Sequence, residues 1–260
     1  MAHPYTSPIP VQQARLSHAL ASEWIKIRSV RSTVWTLALM TCFIVGIGGL
    51  AVLFANGRTR QGDDLLGLGF GGFLIGQLAV IALGVLTISS EYGTGMIRTT
   101  LTACPQRARM LTAKALVFFG LVFTLGTVTV GLFTLFALVV LGGQAGSPPP
   151  EQILRTVVGG GLYLAVIGLM SLAVGALLRH SAGAIAAMIG FVLLPIILGL
   201  FAGETLGRYL IRYSPVSISA AIFGEGLDPR TSGWQLLGVL AVLTAVLLAV
   251  AYRVVSRRDV

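Results

Sequence analysis

Residues 115–141 read ALVFFGLVFTLGTVTVGLFTLFALVVL, 27 residues without an Asp, Glu, Lys, Arg or His. A bilayer core about 30 Å thick is crossed by about 20 helical residues. At about 1.5 Å per residue this run reaches about 40 Å, so as a helix it must tilt or project into the cytoplasm. Five more charge-free runs lie around it, at 33–55, 69–88, 157–178, 183–203 and 234–252, of 23, 20, 22, 21 and 19 residues. Backbone groups in lipid must bond within their own segment, and a barrel would alternate in hydropathy instead of running continuously apolar. The sequence therefore predicts an all-α integral membrane protein with six transmembrane helices. Pro195 in the fifth run removes a backbone donor and predicts a kink there.

Composition agrees. Of 260 residues 55% are hydrophobic and 10% charged, where a soluble domain carries about 25% charge. That excludes a soluble enzyme, a disordered chain and a secreted disulfide scaffold. Cys42 falls in an apolar run and Cys104 in a loop, so neither a disulfide framework nor a metal cluster is indicated.

The net charge of +9 fits membrane topology. The basic residues are spread over short loops, with no basic stripe interleaved with aromatics, which argues against nucleic acid. Six spans put both ends of the chain on one side. That side holds Arg15, Lys26, Arg28, Arg31, Arg98, Arg107, Arg109, Lys114, Arg179, Arg253, Arg257 and Arg258; the other holds Arg58, Arg60, Arg155, Arg208, Arg212 and Arg230. The richer side is expected to be cytoplasmic, with both termini. Sixteen of the eighteen basic residues are arginine, which reads as a bias of a GC-rich genome. The organisation is a cytoplasmic tail and interfacial helix over 1–32, a six-helix domain over 33–255 and a short cytoplasmic tail over 256–260. The first span starts too late, is too long and lacks the cleavage pattern for a signal peptide; residues 1–13, with three prolines, read as a mobile tail.

Two cytoplasmic segments stand out. Residues 15–32, RLSHALASEWIKIRSVRS, place Leu16, Ala19, Leu20, Trp24, Ile27 and Val30 in one helical stripe, with Arg15, Lys26 and Arg28 outside it. This predicts an amphipathic helix at the membrane interface. Glu23 falls inside the apolar stripe. It either pairs with Lys26 or Arg31, or it meets the charge of a docked partner. The second segment, SSEYGTGMIRTTLTACPQRARMLTAKAL, covers Ser89–Leu116. Gly93 and Gly95 permit a sharp turn, Met96 to Ala103 would form a short helix with Ile97, Thr100 and Leu101 on one face, and Pro105 would end it. A short helix across the ends of two spans suits a lever that couples protein movement in the cytosol to the membrane. An ordinary charged loop would carry the same residues.

This loop resembles the signature of type 2 ABC exporter permeases: a Glu after the second span, a turn rich in Gly and Thr, a coupling helix, a Pro, basic residues and a Lys opening the third span. The matching residues are Glu91, Gly93, Thr94, Leu101, Pro105, Arg107 and Lys114. The stretch EWIKIRSVRSTVW from Glu23 and the six-span layout are similar as well. Tyr92 and Met96 depart from the pattern, which has more polar residues there. The resemblance implies a half-transporter: two six-span permeases, identical or not, with two separate ATPase subunits that hold ATP and magnesium. It implies that Glu91, Gly93, Thr94, Ile97, Arg98 and Leu101 of the second loop, with Glu23, Lys26 and Arg28 of the first helix, couple to the ATPase. It also implies short helices between spans five and six, where TLGRYLIRYSPVSISAAIF would form a small cap with Tyr209 and Tyr213 at the interface.

The chain has no G-x-x-x-x-G-K-[ST] run, no H-E-x-x-H and dispersed His3, His18 and His180. It is therefore expected to be no enzyme, to hold no metal or cofactor and to take energy from another chain. Ser171 has no His in any span to activate it and reads as packing. Charge-free spans argue against a proton relay. Gly67 with Gly71, and Gly72 with Gly76, give two G-x-x-x-G spacings for helix packing in the bundle or between two copies, and Thr124, Thr127 and Thr134 read mainly as packing. The expected function is export of an apolar or amphiphilic solute (drug-like, peptide or lipid-like) across a bacterial cytoplasmic membrane. The alternatives are a membrane assembly protein without transport and an ion-coupled carrier.

Overall fold

The computed structural model describes residues 16–96, 107–226 and 232–257. Among these residues the chain is helical with no strand. In order they form α1 (Leu16–Ser29), α2 (Arg31–Ala55), α3 (Phe70–Gly93), α4 (Arg107–Ala145), α5 (Pro150–Leu178), α6 (Ser181–Phe201), α7 (Glu204–Arg212), α8 (Pro215–Phe223) and α9 (Gly233–Arg257). Six of them, α2 to α6 and α9, are long and apolar enough to cross a membrane, and each falls on one of the six charge-free runs. Helix α4 has 39 residues, about 58 Å of helix, so it outruns any bilayer core. Helix α6 runs unbroken through Pro195 and stops at Phe201, where Gly203 takes a left-handed backbone (φ +76°).

Helix α5 is the centre. Almost every residue from Gly160 to Ala176 is buried, and α3, α4 and α9 pack around it. Lipid tails offer no hydrophobic drive between helices, so close backbone approach has to supply the contact. Glycines make that possible. A Cβ on Gly84 of α3 would strike the Gly168 carbonyl of α5, and one on Gly175 would stand 3.1 Å from the Val85 carbonyl. Gly72 and Gly76 of α3 do the same against α2: added Cβ atoms would meet the Phe43 carbonyl at 2.7 Å and the Met40 carbonyl at 3.3 Å. Here α2 makes a π turn over Cys42–Ile47. The two other glycines of the spacing behave differently. Gly71 has nothing within 4 Å and Gly67 faces the side chain of Glu225, so only Gly72 and Gly76 form a helix-packing face inside the bundle. Of the threonines in α4, Thr129 reaches across, its Oγ1 3.2 Å from that of Thr41, and Ser171 bonds back to its own helix at the Ile167 carbonyl.

The end of the bundle away from α1 carries α7 and α8. Helix α7 lies against α6, with Gly207 on Gly199, and leaves Tyr209 and Tyr213 exposed. Helix α8 is more than a cap. Eight of its nine residues are buried, and it packs on α3, α5, α6 and α9. Ser214 caps it by accepting from the Ser217 N–H. The Phe223 ring lies 4.8 Å from Phe73, and Thr156 donates to the Ile222 carbonyl. The Tyr163 hydroxyl of α5 lies 2.7 Å from Gln77 Oε1 and 3.0 Å from the Pro215 carbonyl. One proton serves one acceptor. A Gln77 amide turned end for end would donate to the hydroxyl and leave that proton for Pro215.

Candidate functional site

At the opposite end, α1 lies along the start of α4. The backbone bends at Val30 (φ −86°, ψ 111°), which turns α1 out of line with the span α2. The side of α1 that packs inward carries Glu23 and Ile27, both buried, while Trp24 and Ile25 stay exposed. Of the stripe read from the sequence, Ile27 is buried and Ala19 and Leu20 are half-buried where α1 meets the third span, while Leu16, Trp24 and Val30 stay exposed. The Arg28 guanidinium sits 5.7 Å from the Trp24 ring centroid.

Glu23 on this face meets charges from the same chain. Lys114 of α4 donates to Glu23 Oε2 at 2.6 Å and to Glu91 Oε1 of α3 at 2.9 Å. Lys26 donates to Glu23 Oε1 at 2.9 Å and to Glu91 Oε1 at 3.2 Å. Three helices, distant in sequence, are joined by four side chains of zero net charge. Glu23, Glu91 and Lys114 are each 2% exposed or less. Burying a lone ion costs several kcal/mol, and only close, hydrogen-bonded opposite charge offsets that cost. Lysine suits the role because its compact ammonium turns three donors toward several acceptors. Burial lowers the pKa of Lys26, but the hydrogen bond and charge of Glu23, then of Glu91, outweigh it and hold the pKa above the ordinary lysine value. Glu91 Oε2 is buried and accepts no hydrogen bond. A cleft of about 160 Å³ opens beside the network, lined also by Ile27, Val30, Leu83, Leu86 and Met96.

Beyond Glu91, α3 ends at Gly93, which keeps a helical backbone with open space around it. Thr94 caps it, its N–H and hydroxyl both donating to the Ser90 carbonyl. The sharp turn falls on Gly95 alone (φ +71°). Ile97, Arg98 and Leu101, with the rest of the short helix expected to Ala103 and Pro105, lie outside the described residues. The structure therefore brings Glu23, Lys26 and Glu91 together, places Arg28, Gly93 and Thr94 at the margin, and adds Lys114 at the centre. A signal for Lys114 was present: Lys26 and Lys114 are the two lysines of the chain, and both lie in the network. Among the described residues no group of His, Cys, Asp and Glu is placed to hold a metal ion.

Comparison with known sequences gives a family match. The model described as ABC-2 family transporter protein matches residues 19–194, a stretch that runs from α1 into α6 and contains all four charges. No curated protein matches the chain.

Proposed function

The chain belongs to the ABC-2 family of transporter proteins, and from that premise we propose that it is the membrane-spanning half of an exporter driven by a separate ATPase. It is a multi-pass permease; the direction, the cargo and the assembly are the proposal. The Glu91 end faces the cytoplasm of a bacterial cell, as the excess of basic residues there suggests. Two copies, or this chain and a similar one, form the pathway between them, because α5 fills the centre of a single copy. The apolar, uncharged walls of the spans favour an amphiphilic or apolar cargo: drug-like, peptide or lipid-like. ATP and magnesium belong to the partner, since this sequence has no phosphate-binding loop.

The observation that carries this reading is the buried joint of Glu23, Lys26, Glu91 and Lys114. It ties the interfacial helix to the end of span two and the start of span three. A push on α1 or on the second loop reaches both spans through it. Glu91 and Glu23 then act from inside the joint, and the ATPase contacts fall to exposed neighbours such as Arg28 and Thr94 and to the loop bearing Ile97, Arg98 and Leu101. The test is co-purification of the tagged chain from membranes beside Glu91→Ala. A P-loop ATPase should elute with both, and its turnover should fall or lose its dependence on cargo in the variant. An intact, folded wild-type chain that brings down no ATPase under gentle detergent would favour the carrier or assembly role instead.

A further inference from the structure

Arg179 is the one residue other than glycine, among those described, with a left-handed backbone (φ 53°, ψ 17°). It closes α5, its N–H donating to the Gly175 carbonyl at 3.0 Å. His180 then opens α6 by accepting the Gly183 N–H on its imidazole Nδ1 at 3.0 Å. Two spans are thus joined by a two-residue turn. Such a position normally takes glycine, which has no Cβ to clash. A side chain held there at a cost in backbone strain calls for a reason in what that side chain touches.

What it touches is the second loop. The Arg179 guanidinium lies over the Tyr92 ring, 4.9 Å from its centroid. Arg179 Nε and Nη2 are buried and have no hydrogen-bond partner. The hold on those two groups is therefore the face of the ring, by a cation–π contact strengthened by loss of water. Tyr92 follows Glu91 directly and stands one residue before the end of α3.

We infer that Arg179 is a positioning residue that clamps the exit of α3 to the turn between α5 and α6. Glu91 is bound on one side by the charge joint, and Tyr92 on the other by the arginine. The exit of α3 at Glu91 and Tyr92 is thereby tied to four spans rather than two. Its use in coupling rests on the proposed function; the clamp itself does not.

The experiment is hydrogen–deuterium exchange on the purified full-length chain, read on peptides covering residues 90–96, with thermal melting alongside. Here the Thr94 and Gly95 amides donate to the Ser90 and Tyr92 carbonyls. In Arg179→Gly these amides should exchange at least tenfold faster. The melting temperature should hold or rise, because glycine relieves the left-handed strain. Tyr92→Leu should match it, Tyr92→Phe should behave as wild type, and Arg179→Gly added to Tyr92→Leu should change nothing further. Unchanged exchange in Arg179→Gly, or equal effects of Tyr92→Phe and Tyr92→Leu, would overturn the clamp. The outcome does not depend on an ATPase. Fast exchange in the variant, with no ATPase bound even to wild type, would support the clamp and sink the exporter reading.

Discussion

The two ends of the bundle solve the same problem with different chemistry. At the Glu91 end three helices meet through four ionised groups, with contacts of 2.6 to 3.2 Å. At the far end α8 is held by apolar packing and by neutral groups, Tyr163 with Gln77 and the Pro215 carbonyl. A neutral pin has one good arrangement, since each hydroxyl or amide has few donors and a fixed geometry. Two lysines and two carboxylates have several near-equivalent pairings, and an acceptor on Glu91 stands unused. The charged joint can therefore re-pair as helices slide, while the neutral pin keeps α8 in place. Under the proposed function the driven end is then the one whose pairings can change, and the far end is the stiffer.

The largest effect should come from Lys114→Met. It leaves Glu23 and Glu91 sharing Lys26 alone, and breaking a buried ion pair from one side costs about 3–5 kcal/mol. Thermal unfolding in detergent should show a clear drop. The double variant Glu23→Gln with Lys114→Met should recover part of it, because it removes the excess negative charge. A Lys114→Met chain that melts with wild type would mean that the network carries no load, and the contrast between the ends would collapse.

Next is Tyr163→Phe at the far end. It keeps the ring among its neighbours and removes one hydroxyl, leaving the Pro215 carbonyl and Gln77 short of a partner, a loss of about 1–3 kcal/mol. The same melting assay should register it, while ATP turnover of a co-purified complex should change little. A turnover loss as large as that of Glu91→Ala would show that the pin moves in the cycle and that stiffness is misassigned.

The bundle was legible because spans in lipid must be continuous apolar helices, and six such runs needed no tertiary information. Gly72 and Gly76 were legible as a pair, but Gly71 was indistinguishable from them, since spacing cannot say which side of a helix finds a neighbour. Glu23 was visible as an anomaly inside an apolar stripe. Its neighbour Lys26 was one of the partners the sequence offered; Lys114 and, through the lysines, Glu91 were not, because they lie 91 and 68 positions along the chain and join it only through the packing of α1 on α4. Both lysines were in view, Lys26 on the first helix and Lys114 at the opening of the third span; that the two meet in one joint was not, and their place there reflects what an ammonium does that a planar guanidinium does not. The burial of α8 was unreadable for a plainer reason. PVSISAAIF is too short to span and too mixed to be called core, and the surrounding helices alone decide its place.

The smallest expected effect is a pH dependence confined to the charged end. Lys26 is held above the ordinary lysine pKa in the folded chain, so its contribution to docking α1 is complete below the unfolded value of about 10.4. It is lost as pH rises through the higher folded value. Trp24 on α1 reports this if Trp35 and Trp234 are replaced by Phe. Its emission should stay level from about pH 7 to 10 and shift only above that range. Lys26→Arg should abolish the shift, since a guanidinium stays charged there. A transition near neutral pH would place the responsible proton elsewhere in the joint. A shift that survives in Lys26→Arg would mean that α1 is held chiefly by Ile27 and its apolar contacts. The joint would then be a stiff one like the pin at the far end.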